Sequence, residues 1–492
     1  MPETLYDKLM KLFLNRGFFF PSCEIYSDAP AGFWEYGKLG VLLRNRFVET
    51  WRRELVRRDD MIEIDGSQIM AKQVFVASGH LESFADPVSR CQRCGALHRI
   101  DRLIEEKAKI RVPERLRDEE IEALLRKYNV KCPTCGGALG PVGRFNMMFQ
   151  VRVGGAGEEA YLRPETCQSI FVDFHRIYMT MGLKLPFAVC QFGKSFRNEI
   201  SPRQSLMRLR EFYQAEIEVF FNPKKANDYE KVKTVADYKL RLMPRDQEVT
   251  EMTCREAVES GIISNYLSAY YLALIQQFYE KVGLDKKRLR LRQLGDDEKA
   301  FYAIEAWDVE AETSLGWIEL VACNYRGDYD LSGHMRVSGK DLTVLDDGEK
   351  IIPHIFELSM GVDRSIYTVI EHNYLETQNR RVLKLPYFLA PIQVAVFPLV
   401  SKDGLPEKAI KIYEMIKLDF DAVFDDKGDI GKRYRKMDEV GTPVCITVDY
   451  QTLEDDTVTI RDRDTMAQRR VHISELKETL SNILSISHSH GV

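Results

Sequence analysis

The stretch that most constrains the fold of this chain runs from Gln191 to Phe221 and reads QFGKSFRNEISPRQSLMRLREFYQAEIEVFF. Two runs within it, Gln191 to Glu199 and Arg210 to Phe220, are rich in aromatic and β-branched residues, a composition typical of strands. Between them lie asparagine, serine and proline, which form turns. The stretch therefore predicts an antiparallel hairpin with a polar loop.

This hairpin also collects an unusual set of charges. Its arginines and glutamates are Arg197, Arg203, Arg208, Arg210, Glu199, Glu211, Glu216 and Glu218. Two amphipathic strands with solvated faces are the ordinary interpretation of such a mixture. The period of two, however, places Arg197 and Glu199 on one face. A guanidinium suits a phosphate and Phe212 offers a flat surface to a base, so the segment also fits a nucleotide.

Length and composition narrow the class of protein. At 492 residues the chain is too long for one core and predicts two to four domains. The net charge of -5 excludes a protein that coats nucleic acid through bulk positive charge, although local basic patches stay possible. No run approaches the roughly 18 apolar residues of a membrane span, and the charged start resembles neither a secretory signal nor a transit peptide. We expect a cytoplasmic protein without a membrane segment.

The pattern along the chain changes several times. Helical periodicity and a strand-like run fill the first 90 residues, and a charged helical segment follows between two CxxCG pairs. From 144 to 221 short aromatic strands predict an antiparallel sheet, whereas 222 to about 300 reads as mostly helical. Beyond about 388, strands and helices alternate, which predicts a separate α/β domain. We expect the tail SISHSHGV to be disordered.

Three segments together resemble one family. GKLGVLLRNRFVETWRRELVRRDDMIEIDGSQI resembles the dimer-forming motif 1 of class II aminoacyl-tRNA synthetases, SFRNE with RLREFYQAE resembles their motif 2, and SMGVDR resembles motif 3. YLRPETCQSIFVDF, RFNMMFQV and FELSMGVDRSIYTVI are similar to glycyl-tRNA synthetases of the homodimeric type. The resemblance covers nearly the whole chain.

The resemblance implies an α+β fold: an antiparallel sheet flanked by helices, with zinc-ribbon-like and helical insertions and a C-terminal α/β anticodon-binding domain. We expect the following division: catalytic core in 1–90, 144–221 and 306–387, zinc-ribbon-like insertion in 91–143, helical insertion in 222–305, and anticodon-binding domain in 388–492. The implied partners are glycine, ATP, the tRNA for glycine and a second copy of the chain.

The implied reaction joins glycine to the α-phosphate of ATP and then passes the glycyl group to tRNA. Arg197 would hold the α-phosphate, where negative charge builds during attack. Arg208 would reach the outer phosphates, while Phe212 and Arg364 would cover the two faces of adenine. The catalytic residues implied are Arg197, Glu319 and Arg364. The implied ATP site comprises Arg197, Asn198, Glu199, Met207, Arg208, Leu209, Arg210, Glu211, Phe212, Glu319, Leu320, Gly361, Val362, Asp363 and Arg364.

Magnesium is expected with ATP, because one or two carboxylates usually hold it together with the phosphates. Glu319 in GWIELVAC matches the ATP-side glutamate of the family and is the expected ligand. Glu310 and Glu312, just upstream, are interpreted as surface charges.

Glycine offers little beyond its ammonium and its small size, so carboxylates are expected around the ammonium. Three glutamates without a cation between them would repel one another, which would make an empty site unfavourable. The implied glycine site comprises Arg99, Glu165, Phe212, Tyr213, Gln214, Ala215, Glu216, Glu357, Leu358, Ser359, Met360 and Gly361. The chain departs from the family at Cys167, where relatives have alanine, and at Leu358, where they have proline.

The paired cysteines Cys91, Cys94, Cys132 and Cys135 form a four-thiolate set that suits a structural, tetrahedral Zn²⁺. Their spacing is longer than that of a usual zinc ribbon, so a metal-free remnant of a former site is the alternative. The other cysteines, at 23, 167, 190, 254, 323 and 445, are interpreted as small core residues.

Contacts to tRNA are expected from the C-terminal domain, where Arg461, Arg463, Asp464 and Gln468 are the candidates, with a solvated strand edge as the alternative. The basic run DKKRLRLRQ would touch the acceptor stem or form an amphipathic strand.

A rival hypothesis is a non-catalytic, synthetase-like protein that binds nucleic acid. Another is a synthetase-like enzyme that activates a different small amino acid or chiefly makes dinucleoside polyphosphates.

Overall fold

The computed structural model describes residues 3–110, 112–113, 116–202 and 204–486, with backbone only for 485–486. Arg203 and most of the tail, 487–492, lie outside the described residues. The α-helices are α1 Leu5–Arg16, α2 Lys38–Trp51, α3 Lys72–Ala77, α4 His80–Ser83, α5 Ile100–Ala108, α6 Asp118–Lys127, α7 Cys167–Met181, α8 Cys254–Glu259, α9 Tyr266–Lys281, α10 Tyr329–Ser338, α11 Val362–Asn373, α12 Leu405–Ile416, α13 Ile430–Val440, α14 Tyr450–Asp455 and α15 Leu476–Ile486. A π-helical turn, Arg52–Arg57, extends α2.

The strands are mostly short. They are β1 Phe19–Pro21, β2 Trp34–Tyr36, β3 Ile62–Glu63, β4 Ile69–Ala71, β5 Ala85–Arg90, β6 Leu97–Arg99, β7 Gly143–Asn146, β8 Phe149–Val153, β9 Glu158–Leu162, β10 Phe187–Phe196, β11 Glu211–Phe221, β12 Lys239–Met243, β13 Thr250–Thr253, β14 Leu289–Gln293, β15 Glu305–Thr313, β16 Gly316–Gly327, β17 Val344–Asp346, β18 Glu349–Ile351, β19 His354–Gly361, β20 Tyr374–Glu376, β21 Arg381–Leu383, β22 Val394–Pro398, β23 Ala422–Phe424, β24 Val444–Val448, β25 Thr457–Asp462 and β26 Gln468–His472.

A nine-stranded sheet forms the centre of the molecule, in the order β13-β12-β14-β15-β16-β19-β11-β10-β3. Its middle is antiparallel, and the hairpin predicted from the sequence is confirmed as β10 paired with β11 from Phe187 opposite Phe220 to Phe196 opposite Glu211. The connecting loop is longer than expected and spans 197–210. The hairpin and its loop contain the segments SFRNE and RLREFYQAE, which resemble motif 2.

The two faces of β11 have different roles because its side chains alternate. Ala215, Ile217 and Val219 lie in the main hydrophobic core, which α9 and α11 also help to form. Gln214 and Glu216 lie on the opposite face. The alternation of small or apolar residues with carboxylates in QAEIEV therefore encodes one core face and one polar face.

The strands between 144 and 162 do not belong to the central sheet, contrary to expectation. β7 pairs with β5, and β8 pairs with β9, so these strands complete two separate three-stranded sheets. The segment between the two cysteine pairs is helical as expected, with α5 and α6 packed around Ile100, Ile104 and Ile121.

The segment from 222 to 305 is less helical than predicted. It contains α8, α9 and several 3₁₀ turns, but β12, β13 and β14 extend the central sheet. The basic run DKKRLRLRQ ends in β14, which confirms the amphipathic-strand alternative: Leu289 and Leu291 are buried, while Arg290 and Arg292 lie on the other face. The helical period of α9 is stronger than the strand patterns of β12, β13 and β14, so the sequence predicted a mostly helical segment.

The C-terminal region forms a five-stranded sheet in the order β23-β22-β24-β25-β26, with α12, α13 and α15 beside it. The predicted alternation of strands and helices is confirmed, although α14, β26 and α15 were not predicted. Asp429 caps the first turn of α13 through the Lys432 N–H. Within the described part of the chain, no helix combines the length and apolar character that crossing a membrane requires.

Candidate active site

A cavity of about 920 Å³ opens on the polar face of the central sheet. Strands β11, β15, β16 and β19 form its floor, and α5 of the cysteine-bearing insertion lies at its rim. The implied site residues that line it are Arg99, Glu165, Arg197, Glu199, Met207, Arg208, Leu209, Phe212, Tyr213, Gln214, Glu319, Glu357, Ser359, Gly361, Asp363 and Arg364. Residues from five separate segments of the sequence therefore line one cavity in the folded chain.

Arg197 lies just beyond the end of β10. Its Nε donates to the Pro164 carbonyl at 3.1 Å, and its guanidinium lies 5.4 Å from the ring centres of both Phe212 and Phe84. These contacts fix the side chain before any ligand binds. A guanidinium held in this way can stabilise a developing negative charge with little reorganisation.

The charges nearby form two further contacts. Arg208 Nε donates to Glu199 at 2.8 Å, which holds both side chains at the cavity wall. Arg364 donates from Nε to the Met207 carbonyl at 3.1 Å and lies 3.5 Å from the Glu319 carboxylate. Arg364 is thereby tied to motif 2 and to β16 at once.

The three glutamates implied for glycine are buried close together. Glu165 and Glu357 line the cavity, whereas Glu216 lies beneath its floor and accepts hydrogen bonds from Thr166 and Ser359. Gln214 donates to Ser359 at 3.3 Å, and its own oxygen is buried without a hydrogen-bond partner among the described residues. That oxygen is an unused acceptor beside the carboxylates.

Charge repulsion among these glutamates is relieved differently in each case. Burial and the nearby charge of Glu165 raise the pKa of Glu216, although Ser359 and Thr166 oppose this. Burial raises the pKa of Glu357 to about 7, against the opposing charge of Arg326. An ammonium entering the cavity would favour the ionised forms.

Arg326 is a residue that the sequence interpretation missed. It is 1% exposed, and it donates to Glu357 at 2.9 Å and to Asp330 at 2.7 and 2.8 Å. Its guanidinium also lies 3.8 Å from the Tyr302 ring centre. The only sequence signal that could have identified Arg326 is the alternation of side chains along β16. An extra residue in the strand interrupts that alternation.

A second acidic group lies on β15 and β16. Glu310 was interpreted as a surface charge, but it is buried, lines the cavity and accepts from Arg290 at 2.6 Å and Arg292 at 2.9 Å; this interpretation was wrong. Burial and the charge of Glu319 raise the pKa of Asp308 well above its usual range. Glu312, in contrast, is exposed as predicted.

Several implied residues do not face the cavity. The side chains of Ala215, Leu320, Leu358, Met360 and Val362 lie in the main hydrophobic core. Asn198, Arg210 and Glu211 also lie outside the lining: Arg210 donates to the Glu199 and Ala31 carbonyls, and Glu211 pairs with Lys194. These residues were expected in the site because they are contiguous with the motif residues. Side chains alternate along a strand, however, so neighbouring residues point to opposite faces.

Two other implied residues are held by partners of their own. Asp363 lines the cavity, but it accepts from the Tyr36 hydroxyl and from the Tyr213 backbone N–H at 2.6 Å, so it holds β11 in place. Arg99 at the rim is held by Asp86 and Asp101, each at 2.9 Å. Burial raises the pKa of Asp86 to about 6 despite this arginine.

The paired cysteines converge on one point. The four sulfur atoms lie within 4.8 Å of one another, with Cys91 and Cys135 3.5 Å apart and Cys94 and Cys132 3.7 Å apart. Tetrahedral zinc with Zn–S bonds of about 2.3 Å requires sulfurs about 3.8 Å apart, so the arrangement fits zinc. His98 Nε2 lies 3.2 Å from Cys132 Sγ.

The remaining cysteines are buried as predicted, with one exception. Cys23 is exposed and was wrongly interpreted as a core residue. It occupies a turn in the left-handed region, with φ of 55°.

The candidates for tRNA contact in the C-terminal domain need correction. Arg461 is buried and pairs with Asp438 at 2.9 Å. Arg463 is 1% exposed and donates to the carbonyls of Leu383, Leu385 and Gly441 at 2.8 to 3.1 Å, while Asp464 binds its guanidinium. These two arginines tie the C-terminal domain together and to the preceding segment. Gln468 alone of the four is exposed.

Comparison with known proteins agrees with this geometry. A profile described as tRNA synthetase class II core domain (G, H, P, S and T) matches residues 149–373, and one described as Anticodon binding domain matches residues 393–483. Glycine-tRNA ligases of Thermococcus gammatolerans and Pyrococcus furiosus are each 39% identical, over 97% of this chain and 98% and 99% of theirs. The chain belongs to the glycine-tRNA ligase family.

Other members of the family are similarly close. The glycine-tRNA ligase of Methanocaldococcus jannaschii is 38% identical over 98% of this chain and 100% of its own. That alignment spans 578 positions, more than the 492 residues of this chain, so this family member contains segments that this chain lacks. These matches give no support to a non-catalytic nucleic-acid-binding paralogue.

A solved structure shows the same fold. Prolyl-tRNA synthetase from Cryptosporidium parvum, complexed with halofuginone and AMPPNP, superposes with a TM-score of 0.57 over 98% of this chain and 78% of that chain. At 14% sequence identity, the likeness concerns the fold alone. It confirms the predicted class II architecture.

Proposed function

We propose that the cavity on the central sheet joins glycine to ATP as glycyl-adenylate and then delivers the glycyl group to tRNA. Membership in the glycine-tRNA ligase family assigns the overall reaction: the chain ligates glycine to tRNA with the consumption of ATP. The observation that carries the site assignment is the convergence of Arg197, Arg364 and the buried glutamates in one cavity.

In the first step, a glycine carboxylate oxygen attacks the α-phosphorus of ATP, and pyrophosphate leaves. Arg197 would bind the α-phosphate oxygens as their charge increases, because its guanidinium is already fixed by Pro164 and Phe212. Arg364 and Phe212 would hold the adenine between them, and Arg208 would contact the outer phosphates.

In the glycine pocket, the ammonium would lie against Glu165 and Glu357. Gln214 supports this assignment, since its buried oxygen has no described partner and can accept a hydrogen bond from the ammonium. Glu216 supplies charge from beneath the floor and holds Ser359 in place. The proposal also requires steric exclusion at the α-carbon of glycine, because charge alone cannot reject the methyl group of alanine.

Magnesium fits the acidic group formed by Asp308, Glu310 and Glu319, because carboxylate oxygens are its preferred protein ligands. Glu319 is the proposed ligand, since its side chain is 47% exposed and faces the cavity. Bound Mg²⁺ would neutralise phosphate charge and orient the leaving pyrophosphate. Arg292, which contacts Asp308 and Glu310, keeps the other carboxylates in place.

Zinc fits the four thiolates of Cys91, Cys94, Cys132 and Cys135. With four protein ligands it would be structural and would fix both ends of the insertion that carries Arg99. The distances between the sulfurs support the occupied site over the metal-free alternative.

A homodimer in the cytoplasm completes the proposal. The motif 1 segment contains β3, an edge strand of the central sheet, and ends at Ile69, the first residue of β4, which is 50% exposed. An edge strand and a nearby exposed apolar side chain are both suited to contact with a second copy. The six-part division of the chain is also proposed, amended by the strands at 239–243, 250–253 and 289–293 that join the catalytic sheet.

The deciding experiment is glycine-dependent exchange of radioactive pyrophosphate into ATP, followed by transfer of glycine to tRNA. Activity with glycine and none with alanine or serine is expected. Exchange with another amino acid only, or tRNA binding without exchange, would replace this proposal with one of the rival hypotheses.

A further inference from the structure

Glu165 is held at one of its two carboxylate oxygens. Oε1 lies 3.3 Å from His80 Nε2, 3.1 Å from Cys167 Sγ and 2.9 Å from Gln168 Nε2. None of the described residues donates to Oε2, although Glu165 lines the cavity. One oxygen is therefore saturated by protein donors, and the other is left for a ligand.

The donors to Oε1 are themselves held in place. Ser78 Oγ lies 2.8 Å from His80 Nδ1, and His334 Nε2 lies 3.2 Å from Gln168 Oε1. All four of these side chains are buried. A buried polar network in which every member has a partner is rigid, so it can orient the carboxylate.

The backbone brings this network to the cavity through a close contact between α3 and α10. A Cβ atom added at Gly333 would lie 2.6 Å from the Ala77 carbonyl oxygen, so only glycine permits this approach. Ser78 and His80 follow α3, and His334 follows Gly333. Residues from two distant segments thus support the contacts to Glu165, His80 directly and His334 through Gln168.

His80 also contacts the ATP side of the cavity. Its ring centre lies 5.4 Å from that of Phe84, and the Arg197 guanidinium lies 5.4 Å from the Phe84 ring. Burial alone would raise the pKa of Glu165, but the charge and hydrogen bond of His80, aided by Arg326, hold it well below its usual range. His80 is therefore the main counter-group to this carboxylate.

We propose that His80 is a positioning residue for the glycine ammonium: by donating to Oε1 it keeps Glu165 oriented with Oε2 towards the substrate. The inference rests on the proposed function, in which Glu165 receives the ammonium. His80 itself does not touch glycine, so its effect passes through the orientation of one carboxylate.

Two variants separate the donor from the bulk of the ring. In His80→Gln the amide nitrogen can replace Nε2, whereas His80→Leu keeps similar bulk without a donor. Pyrophosphate exchange is measured against glycine at saturating ATP and against ATP at saturating glycine. We expect the KM for glycine to rise about tenfold or more in His80→Leu, with an unchanged KM for ATP and most of the loss recovered in His80→Gln.

The matched control is His354→Leu. His354 is half-buried, contacts the Tyr325 hydroxyl at 2.7 Å and lies outside the cavity lining, so neither KM is expected to change. If His80→Leu fails to fold in a thermal melt, Ser78→Ala, which removes only the support of Nδ1, is expected to raise the glycine KM about threefold.

Two results would overturn the inference: a glycine KM in the folded variants within about twofold of the parent, or equal losses in His80→Gln and His80→Leu. An equal rise of the KM for ATP would likewise contradict it, because the network would then support the whole cavity. Failure of the proposed function is distinguishable, since the parent protein itself would show no glycine-dependent exchange.

Discussion

Glu310 lies directly opposite Glu319 across the antiparallel pair of β15 and β16. The pairing follows from an irregularity in the ladder, since Val309 is opposite Val321 and Leu320 is an extra residue between the two pairs. Like charges facing each other are unfavourable, and Arg290 and Arg292 compensate Glu310 but not Glu319. Glu319 lies 3.5 Å from the Arg364 guanidinium, but its side chain is 47% exposed, so it remains accessible to a cation in the cavity.

The first prediction follows from this pair. Glu319→Gln removes the carboxylate that faces the cavity, so the Mg²⁺ concentration for half-maximal pyrophosphate exchange is expected to rise about tenfold, while the KM for glycine stays unchanged. Glu312→Gln, at an exposed position on β15, serves as the control and should match the parent. An unchanged magnesium dependence would exclude Glu319 as a ligand.

Arg197 provides the second prediction. Arg197→Ala is expected to reduce pyrophosphate exchange by at least about a hundredfold, because the charge on the α-phosphate loses its fixed partner during attack. Arg197→Lys keeps the charge but not the planar fork held at Pro164, so it should recover only part of the rate. Exchange within a few-fold of the parent in a folded Arg197→Ala protein would disprove the assignment.

The third prediction concerns the selection of glycine. Glu216→Gln changes charge with little change of volume and is expected to weaken glycine binding by about 1.5 to 3 kcal/mol without affecting ATP. Glu216→Ala also opens space beneath the floor and is expected to admit alanine as a substrate. The glycine, alanine and ATP dependence of exchange tests both variants, and an equal loss of ATP affinity would assign Glu216 to the nucleotide.

The fourth prediction concerns pH. Burial, opposed by Arg326 and reinforced by Glu216 and Glu165, raises the pKa of Glu357 to about 7. This folded-state pKa exceeds the value of about 4.3 expected in the unfolded chain, so the stability from Glu357 is complete below about pH 4 and is lost as the pH rises through 7. A glycine ammonium bound beside Glu357 would supply the missing counter-charge above pH 7.

Saturating glycine is therefore expected to raise the melting temperature more at about pH 8 than at about pH 6. In Glu357→Gln, which cannot ionise, this pH dependence should disappear. Differential scanning fluorimetry with and without glycine measures both proteins, and a larger effect at the lower pH would contradict the assignment.

Zinc gives the fifth prediction. The purified protein is expected to contain about one Zn²⁺ per chain, and Cys132→Ser should release it and expose the insertion to proteolysis. Cys23→Ser, at the exposed cysteine, should retain the metal. Metal analysis that finds no zinc in protein prepared without chelators would favour the metal-free alternative.

Local pattern was sufficient for much of the fold. The β10–β11 hairpin, the start of α11 after Gly361 and the alternation of the C-terminal sheet follow from strand period, helix period and turn residues. Strand boundaries and strand pairings were harder to predict from local pattern, because β8 and β14 have similar strand patterns but pair in different sheets.

The sequence by itself determined the residue types of the site, since the motifs around Arg197, Glu319 and Arg364 are contiguous and a resemblance transfers them directly. Tertiary structure alone decided which of them reach the cavity. An extra residue at Leu320 reverses the alternation of β16 and turns Asn324 towards the carboxylates, and Arg326 lies at a second irregularity of the same strand. The contact of Gly333 with Ala77 likewise places His80 beside Glu165, because a close approach of two backbones depends on the packing of distant helices and not on neighbouring sequence.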